Sequence, residues 1–122
     1  MIEPMMIEGH GPVVVVGGPA GLVFLSGIGP AHAADADPAA AIELQVEQTA
    51  GRLEEVLAER DLAWTNVAKV IVYLTDNSEL DAVMSGLRLR FGSTWSPAVT
   101  FVQVDNLPVR GVRVQLDVVA AA

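Results

Sequence analysis

Val112-Arg113-Val114-Gln115-Leu116-Asp117-Val118-Val119 is the stretch whose reading decides the fold. Val112, Val114, Leu116 and Val118 recur at every second position, and Arg113, Gln115 and Asp117 fill the gaps. A period of two places the first set on one face of a strand and the second set on the other. The run is therefore a strand from Val112 to Val119 with an apolar face on a core and a polar face that water or a ligand can meet. Before it lies Trp95-Ser96-Pro97-Ala98-Val99-Thr100-Phe101-Val102-Gln103-Val104, a second strand entered through a proline, and the turn Asp105-Asn106-Leu107-Pro108 joins the two.

Further upstream, Val67 to Leu74 is rich in β-branched residues and reads as a strand. Thr75-Asp76-Asn77 turns, and Ser78 to Asp81 has the spacing of a capping box, with Asp81 in place of the usual glutamate. The helix it opens carries Leu80, Val83, Met84, Leu87 and Phe91 on one stripe and ends at Gly92-Ser93. An earlier helix is predicted from Asp37 as N-cap and Pro38 in the first turn to about Arg60, with Ile42, Val46, Thr49, Leu53 and Leu57 on its inner face. Val13 to Val16 and Leu22 to Ser26 read as a hairpin across the glycine-rich turn Gly17 to Gly21, and Ile2 to Glu8 is a short lead with strand character. The order is β-β-α-β-α-β-β, an α+β sandwich with two helices on one face of a mixed sheet. In a single chain the other sheet face would be bare, yet the Val13–Val16 run supplies apolar side chains to it.

The totals narrow the function. The chain has 122 residues, enough for one domain, residues 1–122, with a core of its own. It has no cysteine, which excludes disulfides and thiolate chemistry. Fifteen acidic residues against seven basic ones give a net charge of -8, and the basic ones are scattered. Neither nucleic acid nor an anionic membrane is an expected partner. No apolar run reaches the roughly 20 residues of a membrane span, and Met1 to Gly29 lacks the basic start of a secretory signal, so a cytoplasmic protein is expected. At 52% hydrophobic residues the composition is rich in apolar groups, and a subunit interface is the simplest place to bury the excess.

Chemical motifs are few. His10 and His32 are far apart in sequence with no carboxylate at ligand spacing, so no metal site is expected, and no cofactor either. The Gly17–Gly21 turn lacks the Gly-Lys-Ser/Thr of a phosphate loop and lies between strands. Ser26 has no Gly-x-Ser-x-Gly elbow around it. Asp76, Glu79 and Asp81 crowd a helix start, where the helix dipole favours carboxylates without catalysis.

Three motifs taken together resemble the Rid (YjgF-like) family. They are Leu22-Val23-Phe24-Leu25-Ser26-Gly27, Val67 to Asp76, and Ser96-Pro97-Ala98-Val99-Thr100 with Val102-Gln103-Val104 and Leu107-Pro108. The resemblance runs from about Gly11 to Ala120. It implies a chorismate-mutase-like fold, a homotrimer with the sheets inside, and small-molecule clefts between adjacent subunits. The best-known members hydrolyse enamines and imines such as 2-aminoacrylate, and depend on an arginine in a Pro-Ala-Arg motif whose fork can pair with a carboxylate.

That position is Val99 here. The family's Ser-Gly-Gln is Ser26-Gly27-Ile28, its early Pro-Tyr-Ser is Pro12-Val13-Val14, and Met84 and Leu87 stand where the family's second helix has asparagine and tyrosine. Two family glutamates on the last strand match Gln115 and Asp117. The resemblance thus makes Ser26 and Asp117 the catalytic candidates. Ile28, Met84, Leu87, Val99, Gln103 and Gln115 are the ligand-binding ones, and Arg113 is a second source of an anion anchor if it reaches the cleft. The changes make the cleft more apolar. They fit a trimer that lost its reaction, and equally a pocket retuned for a larger, less charged ligand. Three functions follow: a Rid-type enzyme on an imine or enamine, a non-catalytic ligand-binding or interaction protein, and a tailoring cyclase or condensation enzyme.

Overall fold

The computed structural model describes residues 2–6, 12–16, 21–30, 41–92, 94 and 96–122. Its elements are β1 (Ile2–Met6), β2 (Pro12–Val16), β3 (Leu22–Ile28), α1 (Ile42–Ala58), β4 (Val67–Leu74), α2 (Leu80–Phe91), β5 (Ala98–Gln103) and β6 (Val114–Ala121). They build one six-stranded sheet in the order β1-β2-β3-β6-β4-β5. Every neighbouring pair is antiparallel except β4 and β5, which run parallel with α2 as their crossover. The mixed sheet with two helices on one face agrees with the α+β sandwich expected. The lead segment forms a full strand, paired with β2 from Ile2↔Val16 to Met6↔Pro12, so the order gains a strand at the front.

Alternation decides which face is inside. On β6, Val114, Leu116, Val118 and Ala120 are buried, as are Val23 and Leu25 on β3 and Val70, Val72 and Leu74 on β4. The register lines them up: Leu25 faces Val118, Leu116 faces Val72, and Val118 faces Val70. The inner stripes of α1 (Ile42, Val46, Ala50, Leu53, Leu57) and α2 (Val83, Leu87, Phe91) close over this face, as the helical spacing predicts.

Several boundaries differ from expectation; β3 runs on to Ile28 rather than Ser26, and β5 spans Ala98–Gln103 within the expected Trp95 to Val104. β6 starts at Val114 rather than Val112 and runs on to Ala121. The cause is Gln45 on α1, a fully buried amide that the helical pattern does not flag. Its Nε2 donates to the Gly111 carbonyl at 3.0 Å, and its Oε1 accepts from the Arg113 N–H at 2.9 Å. Backbone groups at 111–113 are thereby satisfied by a side chain rather than by a ladder. At α2 the cap is not Ser78. The Asp76 carboxylate accepts from the Ser78 N–H at 2.9 Å and opens a 3-10 turn, Asn77–Glu79, that feeds α2 at Leu80. A carboxylate two residues back is the stronger acceptor, and the same Ser78 holds the Asp76 carboxyl below its ordinary range. For α1, Asp37 and Pro38 lie outside the described residues. The helix described begins at Ile42, with Ala41 still extended (φ -61, ψ 146).

Among the described residues, no helix lies on the second face of the sheet. Leu22 and Phe24 of β3 are 38% and 39% exposed there. Large apolar side chains left in the open on one contiguous face mark an interaction surface.

Candidate functional site

Ser26 reaches the open face by the alternation of β3, and the pattern breaks just after it. Leu25 pairs with Val118 and Ile28 with Leu116, so β3 advances three residues while β6 advances two. The extra residue is a bulge, a device that re-aims side chains. Ser26 stays on the open side, Gly27 follows it, and Ile28 returns to the core at 1% exposure. The bulge also needs its glycine. A methyl group on Gly27 would run into the side-chain amide of Gln115, which lies across it.

A concavity of about 310 Å³ opens on this face, lined chiefly by Phe24, Ser26, Lys69, Ile71, Asp117 and Val119. Asp117 of β6 lies opposite Ile71 of β4, and Lys69 opposite Val119. The Lys69 Nζ donates to the Thr100 hydroxyl at 2.6 Å. One wall is thus aromatic and aliphatic, and it is studded with a hydroxyl, an ammonium and a carboxylate. Such a surface can orient a small molecule and exchange protons with it.

Of the candidates from sequence, the cavity gathers Ser26 and Asp117, with Gln115 next to them over Gly27. The others lie elsewhere. Val99 pairs with the inward Val70 and packs, half-buried, against the core from the edge strand β5. Met84 does the same from α2, and Leu87 and Ile28 are buried. Gln103, at the end of β5, is exposed, and its Oε1 accepts from the Asn77 N–H at 3.0 Å. Arg113 is held by Glu79, with guanidinium nitrogens 3.2 and 3.3 Å from its carboxylate oxygens. It sits four residues before Asp117, about 13 Å away along the strand. Within one chain the candidates therefore divide into an open-face group and a group on the helix side.

Lys69 and Thr100 escaped the sequence reading. The signal was present: with Val70, Val72 and Leu74 inside, alternation forces Lys69, Ile71 and Tyr73 outward, and a lysine in so apolar a strand stands out. A larger concavity of about 500 Å³ lies between the outer sides of α1 and α2 and includes Glu43, Glu47 and Arg90. None of the candidates lines it. Among the described residues no group of three metal-ligating side chains comes together; His10 and His32 lie outside the described residues.

A family model described as endoribonuclease L-PSP matches residues 7–122. The RutC family protein slr0709 of Synechocystis is 35% identical over 79 residues, 65% of this chain and 60% of that protein, so the match spans less than two thirds of the relative's length. Among solved structures, yeast YEO7 superposes with a TM-score of 0.79 at 26% identity over 97% of this chain and 90% of its own. A protein of the conserved Rid family from Yersinia pestis gives 0.78 at 22% identity, over 98% and 92%. These matches, the fold and the three motifs agree, and the chain belongs to the endoribonuclease L-PSP family, the YjgF/Rid family.

Proposed function

We propose that the protein is a homotrimer in the cytoplasm whose clefts between adjacent copies handle a small reactive intermediate, an imine, an enamine or a related species. Membership of the family supports the coarser part of this reading, the handling of a small molecule. The observation that carries the finer part is the division of the candidates between the two sides of the sheet. Ser26 and Asp117 occupy the open face, while Val99 and Met84 occupy the margin of β5 and α2. One copy keeps the two groups apart. A second copy laid with its β5 margin on the open face would bring them into one cleft and cover Leu22 and Phe24.

In that cleft Asp117 is the proton carrier. It takes a proton from water as the water oxygen bonds to the imine carbon and the C=N electron pair moves onto nitrogen. It returns that proton to nitrogen to give the carbinolamine, then takes the hydroxyl proton and passes it to the amine nitrogen as the C–N bond breaks, so that ammonia leaves and a carbonyl remains. Ser26 is placed to hydrogen-bond the reacting group. The ribonuclease of the family's description gains no support from a net charge of -8. Among the described residues no helix is long and apolar enough to cross a membrane.

A second reading is favoured by Val99, which packs against the core where a charged fork would be needed for the family's deamination. On it the same trimer binds a ligand without turning it over, or serves as a tailoring cyclase or condensation enzyme. Two measurements test the proposal. Light scattering should give the mass of three chains, and a lone-subunit mass would overturn the cleft. Ammonia release from 2-aminoacrylate should stay at background because Val99 offers no bidentate anchor. Robust turnover would show that the departure of Val99 from the family does not matter.

A further inference from the structure

The open-face cavity holds two opposite charges that do not neutralise each other. Unlike Arg90 with Glu54 and Arg113 with Glu79, neither Lys69 nor Asp117 takes part in a described ion pair. Lys69 has a single described partner, the Thr100 hydroxyl at 2.6 Å, which fixes its ammonium and leaves two of its three donors for other acceptors. Asp117 has no described hydrogen-bond donor. Both groups are half-buried beside Phe24, Ile71 and Val119. A neutral apolar ligand seated there would strip water from a cation and an anion and give neither a partner, which is costly. A ligand with its own anion and its own N–H group would satisfy both.

The geometry points to Lys69, seated on Thr100, as the anion-binding group of this cavity, with Asp117 as the acceptor for a ligand N–H. The ligand is then a small zwitterion whose apolar side chain lies on Phe24, Ile71 and Val119. This deepens the proposed function and rests on the open face being its ligand side. On this proposal the ligand is charged, unlike the less charged one the resemblance allowed, because a cation stands on β4. A single ammonium is a point charge and lacks the planar fork of a guanidinium, so it anchors an anion without imposing the same orientation.

Three probes of one shape separate the parts: leucine, 4-methylpentanoate, which lacks the amine, and 3-methylbutylamine, which lacks the carboxylate. Each is titrated calorimetrically into the wild-type chain and into Lys69→Gln, with circular dichroism confirming that both are folded. Leucine should bind more tightly than either half-probe. Lys69→Gln should weaken leucine and 4-methylpentanoate by about ten- to a hundredfold, the worth of a charged hydrogen bond. It should leave 3-methylbutylamine within about twofold. Leucine affinity that survives the substitution overturns the assignment. So does wild-type protein that binds none of the probes, or binds leucine no better than the amine. A lone-subunit mass would sink the trimer reading while leaving this titration intact. An assembled chain indifferent to Lys69→Gln would sink this inference alone.

Discussion

Asp117→Asn is expected to slow turnover of the proposed imine or enamine substrate by about 10²–10⁴-fold, the usual worth of a placed acid–base group. Asparagine keeps the size and hydrogen-bonding capacity of the side chain but cannot carry a proton between water and nitrogen. The substitution sits on the half-exposed face of β6, and no described donor is left stranded by it. The melting temperature should therefore hardly move. The loss should appear in kcat more than in KM, because the proton is in flight only in the transition state. A kcat preserved in a folded Asp117→Asn assembly would remove Asp117 from the chemistry and leave the binding reading in possession of the site.

The largest effect on stability is expected from Phe91→Ala, at about 3–5 kcal/mol. Phe91 closes α2 at 2% exposure and is among the largest fully enclosed side chains of the core. Its ring lies 6.1 Å from that of Trp64, between centroids, at an interplanar angle of 33°. Truncation therefore leaves a void at the junction of α2 with the turn leading into β4. Small domains have about 5–15 kcal/mol in all, so this one change should bring the chain close to its unfolding threshold. Urea denaturation would show it as a lower midpoint with an unchanged slope. A shift worth less than about 1 kcal/mol would mean that the neighbours collapse into the space.

Periodicity made most of the fold legible. The strict alternation from Val112 to Val118 showed which side chains of that strand meet the core, and the structure buries them, while the β-branched run Val67 to Leu74 located β4. What periodicity could not see were side chains acting on distant backbone. Gln45 reads as an ordinary polar position on a helix, yet it holds the chain at Gly111 and Arg113, 66 and 68 residues away, and moves the start of β6. The site was legible in part for a related reason. Ser26 and Asp117 are candidates through resemblance, and the structure sets them in one cavity. The bulge that turns Ile28 inward has no period, so nothing in the sequence separated Ile28 from Ser26 as a wall of that cavity. Lys69 carries no family mark: the resemblance points to Val99, and only the alternation of β4 leaves the lysine's charge on the open face.

The separation of Ser26 and Asp117 from Val99 and Met84 by the thickness of the sheet has a genetic consequence. In the proposed trimer, a chain injured on one side and a chain injured on the other each fail alone. Co-expressed, they form mixed rings in which one junction joins the two healthy sides. Two null alleles of this gene should therefore complement each other when their lesions fall on opposite sides of the sheet, and not when they fall on the same side.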